Sequence, residues 1–78
     1  MNPLGQKVLA CTTRALGGIG ESFIRRQCQL CGFQLDDIDR QKLEKLAKAA
    51  SSNSVLIVGK ARAEKLQTDL MGLAKAAS

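Results

Sequence analysis

Three cysteines are the residues of this sequence whose type and spacing come closest to reactive chemistry. Cys28 and Cys31 are three positions apart, so on a helix their thiols face the same way and can bind a metal or exchange a disulfide, with Cys11 as a third thiol upstream. The chain has no histidine and no second pair of cysteines to complete a zinc site. We therefore predict no bound metal and interpret the cysteines as small, buried apolar residues.

Redox chemistry at the same pair faces an electrostatic difficulty. A reactive cysteine is a thiolate, and a helix N-terminus stabilises it. Here Cys28 and Cys31 precede Gly32, where a helix is expected to end, and the helix dipole at that end opposes an anion. A thiol-based metal or redox module that uses Cys28 and Cys31 with Cys11 is therefore our third interpretation of function.

Other fragments of catalytic or phosphate-binding motifs are incomplete. The glycines at 17–20 lack a preceding strand, and Gly59-Lys60 lacks both an upstream glycine and a Ser or Thr after the lysine. The acids at positions 36, 37 and 39 suit the start of a helix better than an acid–base pair. Asp36 would be the cap, and Asp37 and Asp39 would lie in the first turn. We predict that the chain is not an enzyme and holds no cofactor.

The elements around these residues follow a helical pattern, which predicts an all-α fold: a small bundle of three or four helices in one domain, 1–78. Leucine dominates, and the single proline is at position 3, where it can begin a helix. We expect helices over about 2–16, 21–31, 36–50 and 54–76, separated by 17–20, Gly32 and the polar linker 51–54. Val55–Val58 has strand-like composition, but no second strand pattern could pair with it, so we favour helix.

The third helix combines an apolar face with a basic one. Its inward positions are Ile38, Leu43, Leu46, Ala47 and Ala50, and its outward cations, which could contact phosphates, are Arg40, Lys42, Lys45 and Lys48. The net charge of +5 permits such binding, but no Tyr, Trp or His is present to stack on bases. We expect only weak, nonspecific binding of nucleic acid, and a small DNA-associated protein is our alternative interpretation.

The fourth helix carries a regular apolar seam. Its members recur at spacings of four, three, four and three, as in a coiled coil, and are Gly59, Ala63, Leu66, Leu70 and Leu73. Val55–Val58, Ala61 and Met71 add apolar surface beside this seam. Because a chain of this size has little stability to spare, we expect the seam to bind a partner, first of all a second copy of the chain.

These observations define the function that we expect. No apolar stretch approaches the ~20 residues that cross a bilayer, which predicts no integral membrane association. The odd number of cysteines favours a reducing compartment and hence the cytoplasm. We predict a small non-enzymatic protein-interaction module or regulatory subunit that acts through an apolar helix face, as a homodimer and on another protein.

Overall fold

The computed structural model describes residues 2–76, which form four helices connected by short segments. They are α1 (Pro3–Leu16), α2 (Gly20–Cys31), α3 (Arg40–Val58) and α4 (Lys60–Ala76), with 3-10 turns at Gly17–Ile19 and Leu35–Asp37. No strand occurs between residues 2 and 76. The prediction of an all-α bundle of three or four helices is confirmed. Of the domain predicted over 1–78, positions 1, 77 and 78 lie outside the described residues.

The two longest helices fold back on each other. The 19 residues of α3 span about 28 Å at 1.5 Å per residue, which already equals the longest dimension of the molecule, 28 Å. Because α3 and α4 also make the most extensive helix contact, they form an antiparallel hairpin. Helix α1 packs on α2 and α4, and α2 packs on α3, so the four helices close a ring in chain order.

Asn2 joins the start of α1 to the segment that leads into α3. Its Oδ1 accepts a hydrogen bond from the Gly5 amide at 2.6 Å, which caps α1 in front of Pro3. Its Nδ2 donates to the carbonyl oxygens of Asp36 (2.9 Å) and Ile38 (3.2 Å). The starts of α1 and α3 therefore lie at one end of the bundle. Since α4 is antiparallel to α3, it is also antiparallel to α1.

Close packing between α1 and α2 depends on Gly20. A Cβ at this position would lie 2.9 Å from the Thr13 Cα and 3.0 Å from the Thr12 carbonyl oxygen. Both are backbone atoms, so neither can rotate away. Glycine lets the second helix begin directly against the backbone of the first.

The core fills the space between all four helices. Its most buried side chains include Val8 from α1, Ile24 from α2, and two leucines from each of the longer helices: Leu43, Leu46, Leu66 and Leu70. Leu35 and Ile38, from the segment between α2 and α3, close one end. This burial of large aliphatic side chains is what makes helix packing stable.

The structure corrects the predicted start of α3. Asp36 does not cap the helix, because Asp36 and Asp37 lie in the 3-10 turn and the chain is extended at Ile38. Asp39 is the cap, and its Oδ1 accepts from the Lys42 amide at 2.9 Å. Ile38 is buried as expected, but it precedes the helix instead of belonging to it.

The predicted linker 51–54 is also wrong, because α3 continues through it to Val58. Ser51 and Ser54 are buried small residues, and the Ser54 hydroxyl donates to the Ser51 carbonyl oxygen at 3.2 Å. The chain turns instead at Gly59, whose φ of 87° is in the region that favours glycine, and α4 begins at Lys60. Val55–Val58 is helical, as favoured from the sequence.

Candidate partner-binding surfaces

The apolar seam of α4 lies mostly inside the bundle. Ala63, Leu66 and Leu70 are buried among the four helices, Leu73 is half-buried and Gly59 is exposed. A partner could reach the three buried residues only if the helices separated. Burial therefore leaves little of the predicted seam accessible to a partner, and the available surface lies elsewhere.

The apolar residues beside that seam are the ones that remain exposed. Leu56 is 98% exposed, Ile57 50% and Val55 38%, and Val58 is half-buried. We call these four residues, Val55–Val58, the apolar tip. Large aliphatic side chains in consecutive positions at the end of a helix are unusual on a surface and mark a candidate contact region.

The length of the α3–α4 hairpin explains why the apolar tip is uncovered. Buried positions in α3 end at Ser54, and those in α4 begin at Ala63, so residues 55–62 contain none. Helices α1 and α2 are 14 and 12 residues long, against 19 and 17 for α3 and α4. No other helix therefore packs against the end of the hairpin at which α3 ends and α4 begins. Lys60 and Arg62 are the charged residues of 55–62, and both are cations.

Part of the basic face predicted on α3 is neutralised by neighbouring acids. Arg40 Nε lies 3.9 Å from Glu44 Oε1, and Lys42 Nζ lies 3.9 Å from Asp39 Oδ2. Lys42 Nζ also donates to the Asp37 carbonyl oxygen at 3.1 Å. The other two predicted phosphate contacts, Lys45 and Lys48, are exposed and form no ion pair with residues 2–76.

A groove of about 810 Å³ runs between α1 and α4. Four cations line it, Lys7 and Arg14 from α1 and Arg62 and Lys65 from α4, together with one acid, Asp69. None of these cations forms an ion pair within residues 2–76. The charged residues of the groove therefore sum to +3, and the net charge of the whole chain is +5.

Between the cations the groove is lined by small and apolar side chains. Ala10, Ala15 and Leu73 contribute apolar atoms, and nothing lies within 4 Å of a Cβ built on Gly72. This surface is difficult to predict from the sequence because its two walls are far apart in the chain. The visible signal is the spacing of the cations, seven residues from Lys7 to Arg14 and three from Arg62 to Lys65, which places each pair on one helix face.

Two of the three cysteines, Cys11 and Cys28, lie in surroundings that disfavour the thiolate. Burial raises the pKa of the Cys28 thiol to about 11, and nearby Cys31 adds to the rise while Arg25 opposes it. Burial also raises the pKa of Cys11, with a further contribution from Asp69 against Arg14. Metal ligation and disulfide exchange both require the anion. Within residues 2–76, no cluster of three or more cysteine, histidine or acidic side chains is placed to hold a metal.

Comparison with known proteins adds no family to this description. A scan against protein-family models and searches of curated proteins and solved structures each find no match for the chain. Among residues 2–76, none of the helices is long and apolar enough to cross a bilayer.

Proposed function

We propose that this chain is a small non-enzymatic protein-interaction module that binds a partner through the apolar tip. The observation that carries the proposal is the nearly complete exposure of Leu56 between the exposed side chains of Val55 and Ile57. The Leu56 side chain is almost wholly in solvent, and half of Ile57 is exposed, so this apolar surface is available for binding. Full burial of Leu56 in a partner would contribute about 1.5–3 kcal/mol, and the partly buried Val55 and Ile57 would each contribute less.

A second copy of the chain is the first partner to test, because closed twofold dimers are the commonest assemblies. Most of the α4 seam is buried within the bundle, so a dimer of folded chains would have to form through other surfaces. The apolar tip is the most apolar of these surfaces. Residues 55–62 are fewer than the ~20–30 residues per side of a standard interface, so we expect a weak dimer. A different protein with a cleft for the tip would bind more tightly.

Charge gives this dimer a recognisable signature. Lys60 and Arg62 flank the apolar tip and no acid lies within 55–62, so two tips in contact bring like charges together. Salt screens that repulsion and strengthens apolar burial. We therefore expect the dimer to become tighter as salt rises, whereas binding to a phosphate or an acidic protein would become weaker.

Sedimentation velocity from micromolar to millimolar concentration, at low and high salt, tests the proposal. We expect a monomer–dimer equilibrium that Leu56→Glu abolishes without changing the helical circular dichroism spectrum. Leu30→Glu is the matched control, since Leu30 is 65% exposed at the end of α2 and lies outside the tip. A monomer at every concentration, or equal effects of the two variants, would refute dimerisation through the tip.

Association with DNA through α3 is the weaker alternative, because Arg40 and Lys42 are paired with carboxylates. If DNA is nonetheless the partner, a duplex should bind at physiological salt. Replacing Lys42, Lys45 and Lys48 with glutamate should then abolish binding. Each lysine that contacts a phosphate releases counterions and so contributes affinity, and the replacements remove those contacts. We expect the wild-type protein to bind duplex DNA only at low salt, as fluorescence anisotropy would show.

A further inference from the structure

The groove between α1 and α4 has features that the apolar tip does not explain. Its cations are exposed and lack ion-pair partners within residues 2–76, whereas Arg25 on α2 pairs with Glu21 and Arg40 on α3 pairs with Glu44, each acid four residues away. Cations without ion-pair partners on both walls of a cleft create a positive potential that attracts an anionic partner.

We propose that the groove is a docking site for an acidic amphipathic helix of another protein. The two walls are antiparallel helices, and a third helix fits between two neighbours by packing its side chains into the groove that they form. Its apolar stripe would contact Ala10, Ala15 and Leu73, and its carboxylates would pair with the cations on both sides.

The spacing of the cations agrees with a helical partner. Lys7 and Arg14 are seven residues apart on α1, which corresponds to about 10.5 Å of helix rise. Two glutamates seven residues apart on the partner have the same separation, so both ion pairs can form at once. Asp69 repels an acid at its own level, and the preferred partner therefore carries a neutral or basic residue there.

The same features argue against nucleic acid as the occupant. Duplex phosphates would use the cations but leave the apolar lining between them without a contact, and Asp69 would repel them. Neither Phe23 nor Phe33, the aromatic residues of the chain, lines the groove, so bases have nothing to stack on. An amphipathic helix uses both the charged and the apolar parts.

The binding test uses a fluorescein-labelled probe peptide of about 20 residues, with a leucine stripe flanked by glutamates along about 5.5 helical turns. Two comparison probes are used. One is the same peptide with lysine in place of glutamate, and the other is a short duplex DNA. Fluorescence anisotropy reports affinity for each. We expect the acidic peptide to bind at least tenfold more tightly than the basic peptide and the duplex.

Two variants with equal charge locate the binding. Arg14→Glu with Arg62→Glu changes the groove, and Lys45→Glu with Lys48→Glu changes α3, and each pair lowers the net charge from +5 to +1. All four side chains are exposed, so circular dichroism should show both variants folded. We expect at least a tenfold loss of peptide binding in the groove variant alone. Equal losses in both would mean that net charge attracts the peptide, and would overturn the proposal.

Gly72 allows a test that leaves the charge unchanged. Its Cβ position faces open space, so Gly72→Leu adds a side chain that fills the groove without disturbing the bundle. We expect it to reduce peptide affinity at least fivefold, while Gly72→Ala has a smaller effect. If Gly72→Leu binds the peptide as the wild type does, or if the duplex is the tightest probe and loses affinity in the groove variant, the groove does not hold an acidic helix.

Discussion

Truncation of Leu66 distinguishes a core residue from an interface residue. The side chain is buried in the core cluster, although its position in the sequence also suits a seam facing a partner. Leu66→Ala should lower the free energy of unfolding by about 2–5 kcal/mol, the usual cost of truncating a buried leucine and leaving a cavity. A domain of 78 residues has a total stability of about 4–12 kcal/mol, so this loss is a large fraction of the total.

Leu56→Ala is the control, since its side chain is in solvent and truncation should change the free energy of unfolding by less than about 0.5 kcal/mol. Urea denaturation followed by circular dichroism at two protein concentrations measures both variants. The loss in Leu66→Ala should be the same at each concentration, because a core residue acts within one chain. A loss that grows with protein concentration would show that Leu66 contacts a partner, and a loss below about 1 kcal/mol would show that Leu66 is not packed in the core.

Three further predictions follow from contacts inside the bundle. Gly20→Ala should destabilise the protein by about 1–3 kcal/mol because its Cβ clashes with the α1 backbone. Gly72→Ala should stabilise it by about 0.5–1 kcal/mol because alanine is preferred to glycine inside a helix and its Cβ meets no neighbour. Thermal unfolding compares the two variants. Asn53→Ala removes the donor that lies 2.6 Å from Gln27 Oε1 in a part-buried hydrogen bond, and should cost about 0.5–1.5 kcal/mol in urea denaturation. The raised pKa of Cys28, about 11 against an ordinary 9.0, means that the unfolded chain loses its proton first. Stability should therefore fall by about 2–3 kcal/mol between pH 9 and 11, and Cys28→Ala should remove that part of the decline.

The first half of the fold could be predicted well because its signals are local. Asn2 and Pro3 mark a helix start through capping and a fixed φ angle, and both act within one turn. Gly32 ends α2 for an equally local reason, since its φ of 92° suits glycine. The buried positions of α3 from Leu43 to Ala50 also match the apolar period of the sequence.

The errors occurred where a local signal competed with packing. The run 51–54 has the composition of a linker, yet Ser51 and Ser54 are small enough to lie between helices, and Asn53 bonds across to Gln27. Packing therefore outweighed a weak local preference for a turn. At Asp36 two acids competed with Asp39 for the cap, and Leu35 and Ile38, both buried, determined which one begins the helix.

The candidate surfaces show the same division. The helical character of the chain, the surplus apolar surface of Val55–Val58 and the positive charge can all be predicted without a structure. Periodicity and composition, on which they depend, are read directly from the sequence. The packing of the helices is needed to see that Leu66 and Leu70 are core while Leu56 is exposed, and that cations near residues 7–14 and 62–65 share one groove. Burial and long-range proximity depend on which helices pack together, and that arrangement minimises exposed apolar area over the whole chain, not within any one segment.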